Sequence, residues 1–230
     1  MRKFSPHLEI LPPAQRQLWT ELDQVPTEFT LYGGTAIALH LGHRQSVDFD
    51  FFGNRPFDPA KLQAAIPFLA GARTAHREKN TLTAILNRSG EVTVSFFGVP
   101  NLPRLVPPVV SEDNGLKIAS LLDLAGTKAS VVQLRAESKD YLDIDTLITK
   151  GGITLPMALT AAQALYGASF NPQITLKSLS YFDDGDLRSL PEESKERLAT
   201  AARDVDLGQL PVLSQLIRDE TLESGMGLGL

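Results

Sequence analysis

The stretch Val47-Asp48-Phe49-Asp50-Phe51-Phe52 alternates apolar and acidic residues over most of its length. Side chains on a strand project to opposite faces with a period of two. The pattern therefore predicts a strand with Asp48 and Asp50 on one face and Phe49 and Phe51 on the other. Asp is disfavoured in strands, so two of them need a reason. One reading is the solvated face of an edge strand. The other is a metal dyad: neighbouring carboxylates repel unless a cation lies between them or one is protonated. Oxygen ligands with no Cys in the chain favour Mg²⁺ or Mn²⁺.

Upstream of this strand, Phe29-Thr30-Leu31-Tyr32 reads as a short strand stopped by Gly33-Gly34, and Thr35 to Leu41 as a helix ended by Gly42. Two glycines between a strand and a helix allow close approach of a ligand to the backbone. The free N–H groups of the helix start, with the Thr35 hydroxyl, suit a phosphate. A plain turn that needs positive φ satisfies the same residues. His43-Arg44-Gln45-Ser46 forms the loop before the dyad, where Arg44 and Ser46 either touch phosphate or the carboxylates or fix the loop through backbone hydrogen bonds.

Farther out, Leu11-Pro12-Pro13 opens a helix carrying Leu18, Trp19 and Leu22. Asp58-Pro59-Ala60 opens another by N-cap and first-turn proline, with Leu62, Ala65 and Ile66 toward a core. Thr81–Leu86 and Val92–Phe97 flank Asn87-Arg88-Ser89-Gly90 and form a β-hairpin. Pro100, Pro103, Pro107 and Pro108 mark an extended linker. Beyond it the pattern turns helical. Ser120 caps a helix running through Lys128 to about Leu134, Lys139 to Ile148 is a second, and Thr154 to Tyr166 a third. Residues 191–204 and 210–218 read as terminal helices, and Gly225-Met226-Gly227-Leu228-Gly229-Leu230 as a frayed tail. The expected organisation is an α/β part over 1–108 and a helical part over 109–230.

Composition narrows the chemistry. The 230 residues carry 22 Lys+Arg against 27 Asp+Glu, a formal net charge of −5, and 43% are hydrophobic, enough for a real core. With 11 acidic against 5 basic side chains in 183–230, the rest of the chain is near neutral. A uniformly basic nucleic-acid binder is excluded, while a locally basic cleft is not. The absence of Cys removes disulfides, thiolate zinc and a Cys nucleophile, and His7, His40, His43 and His76 are scattered. No run reaches the ~18–20 apolar residues of a membrane span, and the start lacks a secretory h-region, so a cytoplasmic protein with no membrane partner is expected.

Gly33-Gly34-Thr35, a helix, and then Asp48-x-Asp50 on the next strand resembles the polymerase-β-type nucleotidyltransferases. More narrowly, Gly33-Gly34-Thr35-Ala36 with His43-Arg44-Gln45-Ser46-Val47-Asp48-Phe49-Asp50-Phe51-Phe52 resembles the AbiEii/AbiGii toxin branch of that superfamily. The segment Leu116–Lys128 resembles the branch's helix ending in an active-site Lys, and Arg135 with Lys139-Asp140-Tyr141-Leu142-Asp143 its following acidic helix. Leu179-Ser180-Tyr181-Phe182-Asp183-Asp184 fits a later segment of many members.

The resemblance implies an α+β fold, a polymerase-β-type core of mixed sheet flanked by helices, followed by a helical C-terminal half that completes the active site. It further implies an NTP substrate, Mg²⁺ or Mn²⁺ on Asp48 and Asp50, and phosphates on Gly33, Gly34 and Thr35, with Lys128 neutralising phosphate charge and Asp143 completing the polar cluster. Asp140, one helical turn from Asp143, either joins that cluster or pairs structurally, with Lys139 or Arg44 as partners. Many members of the superfamily bring a third carboxylate from the strand after the dyad. Here that strand is Glu91-Val92-Thr93-Val94-Ser95-Phe96-Phe97, whose interior offers Thr93 and Ser95. Either Asp143 supplies the missing carboxylate or a single metal suffices.

The expected activity is transfer of a nucleoside monophosphate from an NTP to an acceptor, tRNA ends among them, by the toxin of a bacterial toxin–antitoxin or phage-defence pair with a cognate antitoxin. A module that binds nucleotide or a partner without turnover, and transfer to a small molecule as in aminoglycoside nucleotidyltransferases, are the competing readings. The run Tyr181-Phe182-Asp183-Asp184-Gly185-Asp186 lacks EF-hand spacing and reads as a capped helix end.

Overall fold

The computed structural model describes the backbone of residues 2–223. The expected tail at 225–230 lies outside the described residues. Within them the chain forms two compact units, one comprising residues up to Pro103 with Pro107–Ala119, the other Arg104–Val106 with the chain from Ser120 onward. The division falls later than the expected 108/109, because Val109–Ser111 and Lys117–Ile118 are strands of the first unit's sheet.

The first unit runs β1 (Lys3–Phe4), α1 (Pro13–Trp19), β2 (Phe29–Tyr32), α2 (Gly33–Leu41), β3 (Asp48–Gly53), α3 (Pro59–Ala65), β4 (Arg73–Glu78), β5 (Thr81–Asn87), β6 (Glu91–Gly98), β7 (Val109–Ser111) and β8 (Lys117–Ile118). The strands make one mixed sheet in the order β1-β7-β8-β2-β3-β6-β5-β4. At its centre β2 runs antiparallel to β3, β3 parallel to β6, and β6 antiparallel to β5. The alternation read in β3 and β6 sorts the two faces. Phe49, Phe51, Val94 and Phe96 are fully buried, with the Phe51 and Phe96 rings stacked at 5.1 Å. Each such side chain contributes roughly 1.5–3 kcal/mol by leaving water.

Local chemistry explains the helices. α1 begins at a proline whose missing N–H costs nothing there. Asp58 accepts from the N–H groups of Ala60 and Lys61 at the start of α3, and Gly42 stops α2 in the left-handed conformation at φ 61°. Leu62 and Ile66 are buried as expected, but Ala65 is exposed, because α3 ends there in its last turn. Four strands were not legible: β1, β7 and β8 are only two or three residues long, and β4 carries no apolar residue but Ala75.

The second unit is helical: α4 (Leu121–Val131), α5 (Ser138–Thr149), α6 (Leu155–Tyr166), α7 (Pro172–Ser178), α8 (Glu192–Arg203) and α9 (Leu213–Glu223). Ser120 caps α4 and Thr154 caps α6, accepting from the backbone N–H groups of Asp123 and Met157. α4 crosses α6 at Gly126, where a Cβ would stand 2.9 Å from the backbone of Ala161 and Ala162. α4 stops at Val131, short of the expected Leu134. α7, a seven-residue helix opened by Pro172, was not anticipated. The acidic run ending at Asp186 does serve a helix end, though not its own: Asp186 accepts from the backbone N–H and hydroxyl of Ser138 at the start of α5, at 2.5 and 2.9 Å. No helix among the described residues is long and apolar enough to cross a membrane.

Candidate active site

Register in the first unit builds the site. Asp48 pairs with Thr93 and Asp50 with Ser95 across β3 and β6, while Tyr32 of β2 lies opposite Asp50. Paired residues share a face, so Asp48, Asp50, Thr93, Ser95 and Tyr32 all stand on the side opposite the Phe49/Phe51 core. Because β2 passes directly into α2, the pairing of Tyr32 with Asp50 delivers the start of that helix to the carboxylate. A Cβ built on Gly33 would lie 3.0 Å from Asp50 Oδ2, and Gly33 adopts φ +74°. The glycine is therefore needed twice, for its backbone and for the space it leaves.

The loop before the dyad is held from behind. The Thr35 side chain is buried; its hydroxyl donates to the Asp48 carbonyl and lies 2.7 Å from Ser46 Oγ, itself buried. Gln15 Nε2 donates to the Val47 carbonyl at 3.1 Å. Both hydroxyls thus fasten loop and strand to the helix, so a phosphate at this helix end would meet the backbone N–H of residue 35 rather than its side chain. Arg44 donates to the Gln45 carbonyl at 3.0 Å, a loop-fixing bond. Ser95, the strand position where a third carboxylate would stand, receives a bond from the Thr83 hydroxyl at 3.3 Å.

The second unit contains the other candidates. Lys128 Nζ lies 2.5 Å from Asp140 Oδ1 and 2.7 Å from Asp143 Oδ2, and Arg135 Nε donates to Asp140 Oδ2 at 2.7 Å. Asp140 and Asp143 are fully buried and Lys128 is only 5% exposed. Burial pushes the Asp140 carboxyl up, but the Arg135 hydrogen bond and the Lys128 charge outweigh it and hold the group below the usual carboxylate range. Of the two partners expected for Asp140, Lys139 pairs instead with Glu137 at 2.8 Å. Asp123, capped by Ser120 and by the N–H groups of Leu105 and Val106, is raised by burial despite those three donors.

Among the described residues no group of three or more His, Asp or Glu side chains is placed to hold a metal. Asp48 and Asp50 are hard oxygen donors of the kind that would suit a single cation such as Mg²⁺. A three-carboxylate, two-metal arrangement does not fit the first unit's own strand residues.

These features together, a glycine-opened helix start against an Asp-x-Asp strand in a mixed sheet, agree with a family match. The model of the AbiEii nucleotidyltransferase toxins of type IV toxin–antitoxin systems matches residues 17–216. The chain belongs to the AbiEii nucleotidyltransferase toxin family. A relative in Aquifex aeolicus (strain VF5), an uncharacterized protein, is 35% identical over 159 residues, 68% of this AbiEii-family chain and 75% of its own. In fold the AbiEii-family chain is similar to MenT4, a nucleotidyltransferase toxin from Mycobacterium tuberculosis H37Rv. The TM-score is 0.59 at 14% identity, covering 94% of this chain and 91% of that one. The antibiotic-resistance factor ANT(2'')-Ia aligns over 96% and 97% of the two chains at 13% identity with a TM-score of 0.41, too low to carry an argument.

Sequence reasoning missed the lateral neighbours of the dyad in this AbiEii-family sheet. Thr83 and the edge strand β4 reach the same face only through the pairing of β5 with β6 and β4 with β5. The hairpin spacing was the one signal from which the Thr83–Ser95 pair was recoverable.

Proposed function

We propose that this protein is a Mg²⁺-dependent nucleotidyltransferase, with Mn²⁺ as a substitute. It moves a nucleoside monophosphate from an NTP to an acceptor hydroxyl, RNA ends including tRNA being the acceptor class. We further propose that it acts in the cytoplasm as the toxin of a toxin–antitoxin or phage-defence pair. The observation that carries the reading is the placement of Gly33 against Asp50, which sets an anion-binding backbone beside an acidic dyad.

In the transfer, the acceptor oxygen bonds to the α-phosphorus, the bond to the bridging oxygen breaks, pyrophosphate leaves, and the hydroxyl proton must find a base. Asp48 and Asp50 would hold the cation, which would supply charge stabilisation on the triphosphate. The N–H groups of Gly33, Gly34 and Thr35 at the start of nine-residue α2 orient phosphate oxygens. Thr35 and Ser46 keep Asp48 in place. Lys128 exchanges a carboxylate for phosphate, leaving Asp140 with Arg135. Asp143, 2.7 Å from Lys128, is occupied by that lysine, which favours the single-metal alternative over a borrowed third carboxylate.

Ser95 gives the second reading its footing. A hydroxyl is no general base at neutral pH, so a module that binds nucleotide without turnover shares this geometry. Incubation of total RNA and, separately, small hydroxyl compounds with α-labelled NTPs and Mg²⁺ distinguishes the cases. Metal-dependent label on RNA that is lost in Asp50→Ala supports the proposal, and label on small compounds alone redirects the acceptor. Calorimetric NTP binding with no label anywhere establishes the binding module.

A further inference from the structure

We infer that the dyad-bearing face of the first unit, from β3 across β6 and β5 to the edge strand β4, is a platform for a single-stranded RNA acceptor. On it Phe52 and Phe97 stack the bases, and Arg73 and His76 meet the phosphates. The inference rests on the proposed transferase reading and names the surface that holds the acceptor.

The pairing registers align residues in rows across four strands. One row is Asp50, Ser95, Thr83, His76; a second is Asp48, Thr93, Ile85, Arg73; a third is Phe52, Phe97, Thr81, Glu78. A bulge between Thr74 and His76 shifts β4, and this shift brings His76 rather than Ala75 opposite Thr83. Strands are about 4.8 Å apart, so each row spans about 14 Å from the dyad to the edge. At a stacked rise of about 3.4 Å per nucleotide, that distance takes roughly four nucleotides and exceeds a single small acceptor.

The face is built unlike the opposite one. The opposite face is closed by Phe51, Phe96, Leu82 and Ala84, all fully buried. This one keeps a hydroxyl at Thr93, Ser95, Thr83 and Thr81, and leaves Phe52 and Phe97 half-buried with rings stacked at 4.8 Å. Half-exposed aromatics beside hydroxyls and cations are the components of sequence-tolerant single-strand binding. In a chain of net charge −5, the segment Arg73–Lys79 holds Arg73, His76, Arg77 and Lys79 against Glu78 alone. Among the described residues, Arg73 and His76 have loose, exposed carboxylate partners, Glu91 and Glu78, each at 3.6 Å. Such pairs are worth little and yield readily to a phosphate. Arg77 is different: it pairs in register with Leu82 on the opposite face and donates to Gln63 Oε1 at 2.5 Å. A charged edge that merely discouraged strand pairing would not need Arg73 and His76 on the dyad side.

The test is binding of a fluorescein-labelled single-stranded RNA oligonucleotide, read by anisotropy in Asp50→Ala protein so that turnover plays no part. Arg73→Glu with His76→Gln should weaken binding at least tenfold and reduce the slope of log K against log salt by about one. Phe97→Leu should weaken it several-fold. Arg77→Glu, the same charge reversal on the other face, should change it less than twofold. Absence of RNA binding, equal losses for Arg77→Glu and the Arg73/His76 variant, or no change with either, overturns the inference. Failure of the transferase reading registers separately, as absence of label transfer by the unsubstituted protein, and leaves the binding comparison intact. Far-UV circular dichroism of each variant guards against loss of fold.

Discussion

Two pairs of aspartates occupy the two units, and they differ in burial. Asp48 and Asp50, two apart on β3, point the same way from a sheet face, with Asp48 exposed and Gly33 close to the Asp50 carboxylate. Asp140 and Asp143, three apart on α5, are fully buried and are met by Lys128 and Arg135. Spacing alone puts either pair on one face of its element. What differs is burial: the helical pair is enclosed with Lys128 and Arg135 of its own unit, whereas Asp48 of the strand pair is open to solvent. Acidic doublets thus divide into those enclosed with their cations and those with a carboxylate open to solvent.

The strongest way to break this contrast is to remove the balancing cation. Lys128→Met leaves two buried carboxylates with Arg135 as partner and should cost about 3–5 kcal/mol, read as a lower urea midpoint at constant m. Without Lys128 the folded-state carboxyls titrate higher than in the unfolded chain, so the variant should regain stability as pH falls toward 5. A loss below about 1 kcal/mol, or a deficit that does not shrink on acidification, would show that the lysine balances nothing.

In the first unit, half-buried His40 needs no counter-charge because it stays neutral. His40 stacks on Phe4 with ring centroids 4.7 Å apart, and its Nε2–H donates to the Ala119 carbonyl at 2.9 Å. Burial, with smaller contributions from the charges of Arg2 and His7 and against the opposing carbonyl bond, lowers its pKa to about 4. The unfolded chain takes up this proton near pH 6.5 and the folded one only near 4. Stability is therefore fully present above about 6.5 and is lost progressively as pH falls toward 4, by on the order of 2 kcal/mol. His40→Gln should flatten that part of the stability–pH curve; an unchanged slope would remove His40 as its source.

How much of this was readable beforehand follows from where the periodic signal is strong. β3, β5 and β6 alternate cleanly over six to eight residues, and the helices α1, α3, α4 and α6 carry their own punctuation at Pro13, Asp58, Ser120 and Thr154. β1, β7 and β8 are too short to carry a period, and β4 has none, since an edge strand exposed at every residue buries nothing. The Gly33, Asp48 and Asp50 placements followed from strand-helix-strand order. The internal bonding of Thr35 to Ser46, and the double pairing of Lys128, did not. A hydroxyl or an ammonium reads the same in sequence whether it faces a ligand or a neighbour, and only packing decides.

Gly33→Ala separates backbone strain from occupied space at the dyad. Positive φ costs a non-glycine residue about 1–2 kcal/mol. Gly115 provides the control, with φ +72° and nothing within 4 Å of a built Cβ, against Asp50 Oδ2 at 3.0 Å for Gly33. Both alanine variants should lose similar stability to strain, while only Gly33→Ala displaces the Asp50 carboxylate and lowers Mg²⁺-dependent NTP binding. Equal effects on NTP binding would show that the close approach of glycine and carboxylate has no functional consequence.

The smallest effect tests the contrast most directly, because its sign changes with metal. In metal-free buffer, Asp48→Asn relieves repulsion between two like charges on one strand face and should raise stability by less than about 1 kcal/mol. Added Mg²⁺ binds the folded dyad and stabilises the unsubstituted protein by mass action, while the variant, having lost one charged ligand, gains less. The two thermal midpoints should therefore cross as Mg²⁺ is raised, with the variant ahead at zero metal and behind at saturation. Asp143→Asn removes a carboxylate that Lys128 already balances, so it should be less stable than the parent at every Mg²⁺ concentration, with no crossing. If Asp48→Asn is destabilising without metal, repulsion within the strand pair is not what governs its stability, and the expected crossing fails.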